Sequence, residues 1–260
     1  IMSVDGWAEV AFGAHYTKLY GHRDAGEAER AVALIDRDLN LRGANVLDLG
    51  CGAGRHLDPL RRRGAAAVGM DQSTSLLAEA RSVDTRSPLL RGDWGALPFR
   101  DASFDAVLSL FTAFGYGAHP EAQRTMIASV ARVLRPGGFW VLDYLNPRRV
   151  RSELSSGPIS TRRRLDGWTV EETKSLVGHG SRVEKSVTIR ADDVDPDSSV
   201  PDGVVRYRES VALIDQPELV SLVGEADMTL DLARGDYDGA PFDPDTSPRW
   251  FLTFRKGGSS

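Results

Sequence analysis

A glycine loop follows a short apolar run in the sequence VLDLGCGAG, residues 46–54. The run at 44–49 has the length and composition of a buried strand. Glycines at alternate positions after such a strand let the backbone turn tightly and let a ligand approach it closely. A helix that starts after the loop would direct its first N–H groups at that ligand. The stretch therefore predicts a strand–loop–helix unit that binds a small molecule.

Strands and helices alternate on both sides of this loop. Helices are predicted at 27–39, 75–81 and 121–134, and further strands at 65–70, 89–91, 104–110 and 139–144, with Pro136-Gly137-Gly138 as the turn before the last of them. Such alternation predicts an α/β fold with a doubly wound, mostly parallel sheet. A (β/α)₈ barrel would fit the length of the chain. The alternation stops after the fifth strand, however, and this favours the open sheet.

The region after the fifth strand has a different pattern. Partial period-2 alternation predicts strands at 169–176, 182–190 and 204–212, so residues 146–212 are interpreted as an antiparallel β insertion of about three strands. A helix at 217–226 and strands at 228–233 and 249–254 complete a seven-stranded sheet. The predicted core is therefore 1–145 together with 213–260. The insertion is expected to be a substrate lid or a dimer contact.

The insertion is locally basic. An anionic substrate would fit it, but a solvated face balanced by the acidic loop 191–203 is the preferred interpretation. The basic residues in question are Arg148, Arg149, Arg151, Arg162, Arg163 and Arg164.

Composition excludes several classes of protein. Of the 260 residues, 41% are hydrophobic and 27% are charged, which allows a sizeable core and argues against disorder. The net charge of −5 argues against a surface built for nucleic acid. The single cysteine, Cys51, excludes an intrachain disulfide and a zinc site of several thiolates. No apolar run approaches the roughly 18 residues of a membrane helix, and residues 1–6 show no secretion signal, so we expect a cytoplasmic protein.

Two carboxylates indicate the kind of ligand. Asp71 ends the second predicted strand, about 20 residues after the loop, where doubly wound folds place a carboxylate on a ribose diol. A nicotinamide enzyme would share this feature, but its fingerprint is G-x-G-x-x-G and the spacing here is G-x-G-x-G. Asp48 would attract an ammonium group and repel a pyrophosphate. The loop thus favours a cationic nucleoside with an amino-acid tail, such as S-adenosylmethionine.

The chain resembles the class I S-adenosylmethionine-dependent methyltransferases. VLDLGCGAG resembles their first motif, and Met70-Asp71 their ribose-binding strand end. The segments 92–99, 104–107 and 134–138 resemble their adenine-contacting segment, their fourth strand and the turn before their fifth. Five motifs in order make the resemblance specific, and it covers most of the chain. It implies the Rossmann-like methyltransferase fold, S-adenosylmethionine as cofactor and no metal.

The resemblance also implies roles for individual residues. Asp48, Gly50 and Gly52, with Cys51 between them, would hold the methionine end, and Asp71 with Gln72 the ribose. Asp93 would bind the adenine amino group, Trp94 would flank the base, and Leu110 and Phe111 would lie beside the cofactor. In similar enzymes an N-terminal segment folds over the cofactor, so Tyr16 or Tyr20 could touch its carboxylate; helix packing is the alternative.

Subclasses of methyltransferase are sorted by elimination. Methylation at pyrimidine C5 needs a cysteine nucleophile, but Cys51 lies in the glycine loop. The segment 109–112 lacks the motif of base amino methylation, and 111–117 lacks the paired glutamates of protein arginine methyltransferases. Asp143 and Asn146 provide one carboxylate, too few for a catechol-type metal site. A small-molecule acceptor methylated at O, N or C by in-line displacement remains.

Two residues are candidate bases for the acceptor, Tyr116 and His119. His119 precedes Pro120 at a predicted helix start, so a capping role is the alternative. Phe111, Phe114 and Tyr116 could line the methyl-transfer pocket, while the phenylalanines could equally pack on the sheet. Three rival functions stay open: an RNA- or protein-directed methyltransferase that docks through the arginines, a non-catalytic S-adenosylmethionine-binding protein and, more distantly, a nicotinamide oxidoreductase.

Overall fold

The structure, a computed structural model, describes residues 25–83, 86–117, 120–165, 167–191 and 203–258. Its helices are α1 (Ala25–Leu39), α2 (Leu57–Arg62), α3 (Thr74–Val83), α4 (Pro120–Val133), α5 (Pro147–Glu153) and α6 (Gln216–Gly224). Its strands are β1 (Asn45–Leu49), β2 (Ala66–Asp71), β3 (Leu89–Arg91), β4 (Phe104–Ser109), β5 (Leu134–Leu145), β6 (Ile159–Leu165), β7 (Trp168–Val177), β8 (Arg182–Ala191), β9 (Val204–Ala212), β10 (Met228–Arg234) and β11 (Arg249–Lys256).

Seven strands form one sheet in the order β10-β11-β5-β4-β1-β2-β3. The pairs β1–β2, β1–β4, β2–β3 and β4–β5 are parallel, while β11 pairs antiparallel with both β5 and β10. The strand order reverses at β1, so the carboxyl ends of β1 and β4 open a crevice in which doubly wound folds bind their ligands. The predicted α/β fold with a mostly parallel seven-stranded sheet is confirmed.

Helices cover both faces of this sheet. Leu47 and Leu49 of β1 pack in a cluster with residues of α4 and α6, while Val46 packs in a second cluster with residues of α1 and α2. This alternation follows from the period of two in a strand. Each such fully buried side chain stabilises the fold by about 1.5–3 kcal/mol. Asp48 lies two residues after Val46, on the same face of β1, and therefore points to the α1–α2 side.

The fifth strand begins earlier than predicted. The sequence indicated a turn at Pro136-Gly137-Gly138 before a strand at 139–144, but β5 already starts at Leu134, where α4 ends. Leu134 pairs with Phe104, and the register then shifts before Ala106 pairs with Phe139. Gly137, at φ +78°, lies in this shift. The predicted turn is thus an irregularity within the strand.

The insertion contains more than the three predicted strands. Four antiparallel strands form a separate sheet in the order β6-β7-β8-β9, and helix α5 precedes them. Asn146 starts α5 because its side chain accepts the N–H groups of Arg148 and Arg149 at 3.0 and 3.3 Å. Strand β6 was missed because its sequence, ISTRRRL, carries few apolar residues. Both elements lie within the predicted range 146–212.

The basic residues of the insertion make ion pairs. Arg162 and Arg163 lie 3.6 and 3.8 Å from Glu171 and Glu172 on the neighbouring strand. The arginines of α5 also make ion pairs: Arg149 with Glu153 of the same helix at 3.4 Å, and Arg151 with Asp215 at 2.8 Å. These acids do not belong to the acidic loop 191–203, which was predicted to balance the arginines. Residues 192–202 of that loop lie outside the described ranges. The helices that the structure describes include none long and apolar enough to cross a membrane.

Candidate functional site

The glycine loop folds back over the end of β2. The N–H groups of Gly50 and Cys51 both donate to the carbonyl oxygen of Met70, at 2.8 and 3.1 Å. Gly50, Gly52 and Gly54 have φ values of +81°, +54° and +78°. Glycine alone adopts this left-handed region without strain. The predicted strand–loop–helix unit is therefore present at the carboxyl ends of β1 and β2.

Gly50 provides a test of the loop. A Cβ at Gly50 would lie 2.7 Å from the Cβ of Ala113, whereas one at Gly43, with nearly the same φ (+78°), would have no neighbour within 4 Å. We expect Gly50→Ala to lower the free energy of unfolding by about 1–3 kcal/mol more than Gly43→Ala, because only the former adds overpacking to strain. Urea unfolding of both variants measures the difference. Equal losses would show that the loop has room at Gly50.

Asp48 is a buried carboxylate with incomplete pairing. It is 1% exposed, and its Oδ2 lies 3.5 Å from Nδ1 of His56, the residue that precedes α2. Neither of these two atoms has a hydrogen-bond partner in the described part of the chain. A buried carboxylate is costly unless a cation or hydrogen-bond donors compensate it. Asp48 therefore fits a ligand with an ammonium group beside the loop.

Asp71 connects the glycine loop to the end of β2. Its Oδ2 accepts the N–H of Gly52 and its Oδ1 the N–H of Ser73, both at 2.8 Å. Burial raises the pKa of Asp71, and the nearby charge of Asp48 adds to the rise, while the backbone N–H groups oppose it. A carboxylate has about four lone-pair sites, so the two backbone bonds leave room for ligand hydroxyls.

Cys51 is a buried, unreactive thiol. Burial raises the pKa of Cys51 far above its ordinary value, and the charges of Asp48 and Asp71 raise it further. The folded state therefore keeps the thiol proton at pH values where the unfolded chain releases it. This contribution to stability is complete below the unfolded pKa of about 8.5 and is lost as the pH rises above it.

We expect Cys51→Ala to flatten the decline of stability between about pH 8.5 and 10, where the cysteine contributes up to about 1.4 kcal/mol per pH unit. Urea unfolding at stepped pH gives the slope for both proteins. As a control, a thiol reagent should react with the wild type in urea and leave the native protein unmodified. An unchanged slope, or rapid labelling of the native protein, would contradict a buried thiol.

A second group of predicted residues follows β3. Asp93 is exposed, and its Oδ1 accepts the N–H of Gly95 at 2.8 Å. The Trp94 ring lies 5.8 Å from that of Tyr116, and its buried Nε1 has no hydrogen-bond partner among the described residues. The structure thus brings together Trp94 of the predicted adenine segment and Tyr116, a candidate base. Asp93 leaves its second carboxylate oxygen available to a donor.

The segment after β4 has a strained backbone. Phe111 and Thr112 have φ values of +62° and +64°, which are unusual for residues other than glycine. Guanidinium groups of Arg55 and Arg249 lie 4.1 and 5.1 Å from the centre of the Phe111 ring. The Phe111 ring, which was predicted to lie beside the cofactor, thus already makes cation–π contacts with two arginines of the protein.

A buried ion pair that the sequence did not indicate holds this segment. Asp143 is fully buried; one carboxylate oxygen accepts the Phe111 N–H at 2.7 Å and the Tyr237 hydroxyl at 2.5 Å, and the other pairs with Arg249. Arg249 also donates to Oγ1 of Thr112 at 2.7 Å. Burial and the Asp143 charge raise the pKa of Tyr237. Asp143 is therefore a structural anchor.

A cavity of about 550 Å³ opens beside the strained segment. Phe111, Thr112 and Tyr116 line one side, and α5 together with β6–β9 line the other. Phe114, by contrast, is fully buried between the rings of Trp140 and Tyr144, as the packing alternative predicted. The volume lies within the usual range of small-molecule sites.

The remaining predicted residues are placed as follows. Leu110 is 4% exposed and belongs to the core cluster with α1 and α2. Gln72 is half-buried, and its carbonyl oxygen accepts Nε of Arg91 at 3.0 Å. Tyr16, Tyr20 and His119 lie outside the described residues. No cluster of three or more potential metal ligands occurs in the described ranges.

Comparison with known proteins identifies the family. A family profile described as a methyltransferase domain matches residues 46–138, from β1 to the start of β5. The dTDP-3-amino-3,4,6-trideoxy-alpha-D-glucopyranose N,N-dimethyltransferase of Streptomyces venezuelae is 30% identical over 169 residues, covering 64% of this chain and 69% of that protein. The chain belongs to the S-adenosylmethionine-dependent methyltransferase family.

Two further comparisons concern a relative matched over part of its length and a solved structure of similar fold. The cypemycin N-terminal methyltransferase of a Streptomyces species is 34% identical over 118 residues, 45% of this chain and 48% of that protein. The chain thus spans about half the length of one curated relative and about two thirds of the other. The solved structure of the CcbJ methyltransferase from Streptomyces caelestis superposes with a TM-score of 0.79 over 96% of this chain and 99% of that one, at 18% identity. This likeness shows a shared fold that includes the region of the insertion.

Proposed function

We propose that this methyltransferase transfers the methyl group of S-adenosylmethionine to a small molecule held in the cavity beside Phe111, Thr112 and Tyr116. The observation that carries the proposal is the position of that cavity. It begins at Phe111, just after β4, and has room for a small molecule. Ala113 of the same segment lies against Gly50 of the glycine loop. The printed names of the relatives, which include an amino-sugar dimethyltransferase, are consistent with this substrate class.

The residues around the glycine loop fit S-adenosylmethionine. Asp48 offers the ammonium group a buried carboxylate oxygen that lacks a hydrogen bond within the described chain, and the glycines admit the ligand close to the backbone. Asp71 would hold the ribose hydroxyls, while Asp93 and Trp94 would hold the adenine. When bound, this molecule supplies an electrophilic methyl group on a cationic sulfur.

The chain itself would act chiefly by positioning. Asp143 and Arg249 hold Phe111 and Thr112 in one conformation at the edge of the cavity, so this wall needs no reorganisation when an acceptor binds. The four-stranded sheet closes the opposite side and would exclude water. Tyr116 would orient the acceptor or receive its proton. The position of this sheet supports the lid interpretation of the insertion; a homodimer stays a second proposal.

Methyl transfer can be tested with a metabolite extract and a methyl-labelled donor. We expect one product that gains a methyl group, together with S-adenosylhomocysteine. Ile159→Trp separates binding of the acceptor from binding of S-adenosylmethionine. Ile159 is 44% exposed at the cavity, and the larger ring would fill part of the cavity without touching the glycine loop. It should abolish transfer while S-adenosylmethionine binding persists. Transfer to RNA or protein fractions alone, or binding without S-adenosylhomocysteine formation, would contradict the proposal.

A further inference from the structure

One face of the four-stranded sheet presents charged residues to the cavity. Pairing aligns Lys174 with Lys185 and Lys185 with Glu209, so these side chains share a row across β7, β8 and β9. Glu172 lies two residues before Lys174 and therefore projects from the same face. All four residues line the cavity. Arg162 and Arg164, at the alternate positions of β6, project from the opposite face.

The charges in and beside this row form a chain that ends on a buried carboxylate. Lys185 Nζ lies 3.1 Å from Oε1 of Glu209 and 3.8 Å from Oε1 of Glu172, and Arg163 lies 3.8 Å from the other oxygen of Glu172. Among the described residues, Glu172 thus has two cationic neighbours, Arg163 and Lys185, whereas Glu209 has one, the Lys185 that it shares with Glu172. Glu209 is 9% exposed, so its carboxylate is almost completely removed from water.

The rest of the cavity wall is largely apolar. Aliphatic side chains of Leu145, Val150 and Leu154 lie on the α5 side. The cation Lys174 is exposed at the rim, and Arg249 is already paired with Asp143. An acceptor entering this space would meet hydrocarbon on one side and the Glu209 carboxylate on the other.

We propose that the acceptor carries a basic amine and that Glu209 binds its ammonium group, with the apolar body of the acceptor against α5. This inference rests on the proposed function and adds the chemical class of the substrate. A buried carboxylate with one shared cation is stabilised by a second cationic donor. An anionic group at the same place would be repelled by Glu209 and Glu172, and the cation beside them, Lys185, is already paired with both carboxylates.

Three probes of matched shape separate the charge of the ligand from its size. Cyclohexylamine, cyclohexanol and cyclohexanecarboxylate are titrated into the wild-type protein in the presence of S-adenosylhomocysteine, with binding followed by ligand-observed NMR. We expect the amine to bind about tenfold more tightly than the alcohol, and the carboxylate most weakly. Equal binding of amine and alcohol, or tightest binding of the carboxylate, would overturn the assignment even if methyl transfer occurs.

Variants then assign the preference to one residue. Glu209→Gln should remove the tenfold preference for the amine, whereas Glu153→Gln, at the exposed rim of the same cavity, should retain it. Glu184→Gln, which alters an ion pair with Arg208 on the opposite face, controls for loss of charge in the sheet. An unchanged preference in Glu209→Gln would overturn the role of this carboxylate. If Glu209→Gln does not fold, the wild-type probe series still decides the acceptor class.

Discussion

Asp143→Asn is expected to lower the free energy of unfolding by about 3–5 kcal/mol, because it leaves the Arg249 guanidinium without its buried counter-charge. Asp143 is fully buried and Arg249 is 25% exposed at its side chain. The amide keeps a single acceptor oxygen, so its NH2 group faces either Arg249 or the two donors that share the other position, Phe111 and Tyr237. Urea unfolding measures the loss.

Asp245→Asn is the matched control for this ion pair. Asp245 lies 2.7 Å from Arg148, but both side chains are about half exposed or more, and such surface pairs contribute about 0–1 kcal/mol. If Asp143→Asn cost no more than Asp245→Asn, Asp143 would not anchor the segment after β4.

Asp48→Asn is expected to weaken S-adenosylmethionine binding about ten- to hundredfold. The substitution keeps the shape of the side chain and removes the charge that would face the ammonium group, and a hydrogen bond to a charged group contributes about 1.5–3 kcal/mol. Calorimetric titration of the wild type and the variant gives the two dissociation constants.

Asp58→Asn controls for a general effect of charge near the loop. Asp58 lies in α2, close in sequence to Asp48, but its side chain is 42% exposed and pairs with Arg61, Arg62 and Arg86. We expect its affinity for S-adenosylmethionine to match the wild type within about twofold. An equal loss in both variants would remove the specific role of Asp48.

The sequence predicted those parts of the fold that depend on local patterns. Short apolar runs and the glycine loop determine β1 and its turn, because burial on both faces requires continuous hydrophobicity and the turn requires glycine. Strand β6 was missed because it is an edge strand whose side chains are mostly exposed, so its sequence need not be apolar. Helix α5 did carry a signal, since Asn146-Pro147 is typical of a helix start, but the sequence analysis did not use it to predict a helix.

The buried ion pair of the site could not be predicted in the same way. Asp143 and Arg249 are 106 residues apart, and Tyr237 follows Asp143 by 94 residues. Antiparallel pairing of β11 with β5 brings Asp143 and Arg249 together, and that register is set by the whole sheet. Tyr237 lies in the connection between β10 and β11. Glu209 was missed for a related reason, because its proposed role depends on which face of β9 lines the cavity.

The central claim is that the cleft above β1 binds S-adenosylmethionine, and calorimetry with the purified protein tests it most directly. The account predicts that S-adenosylmethionine and S-adenosylhomocysteine each bind with one molecule per chain, that Asp48→Asn binds both more weakly, and that reduced nicotinamide dinucleotide gives no heat of binding. Absence of binding by both nucleosides to the folded wild-type protein would contradict it.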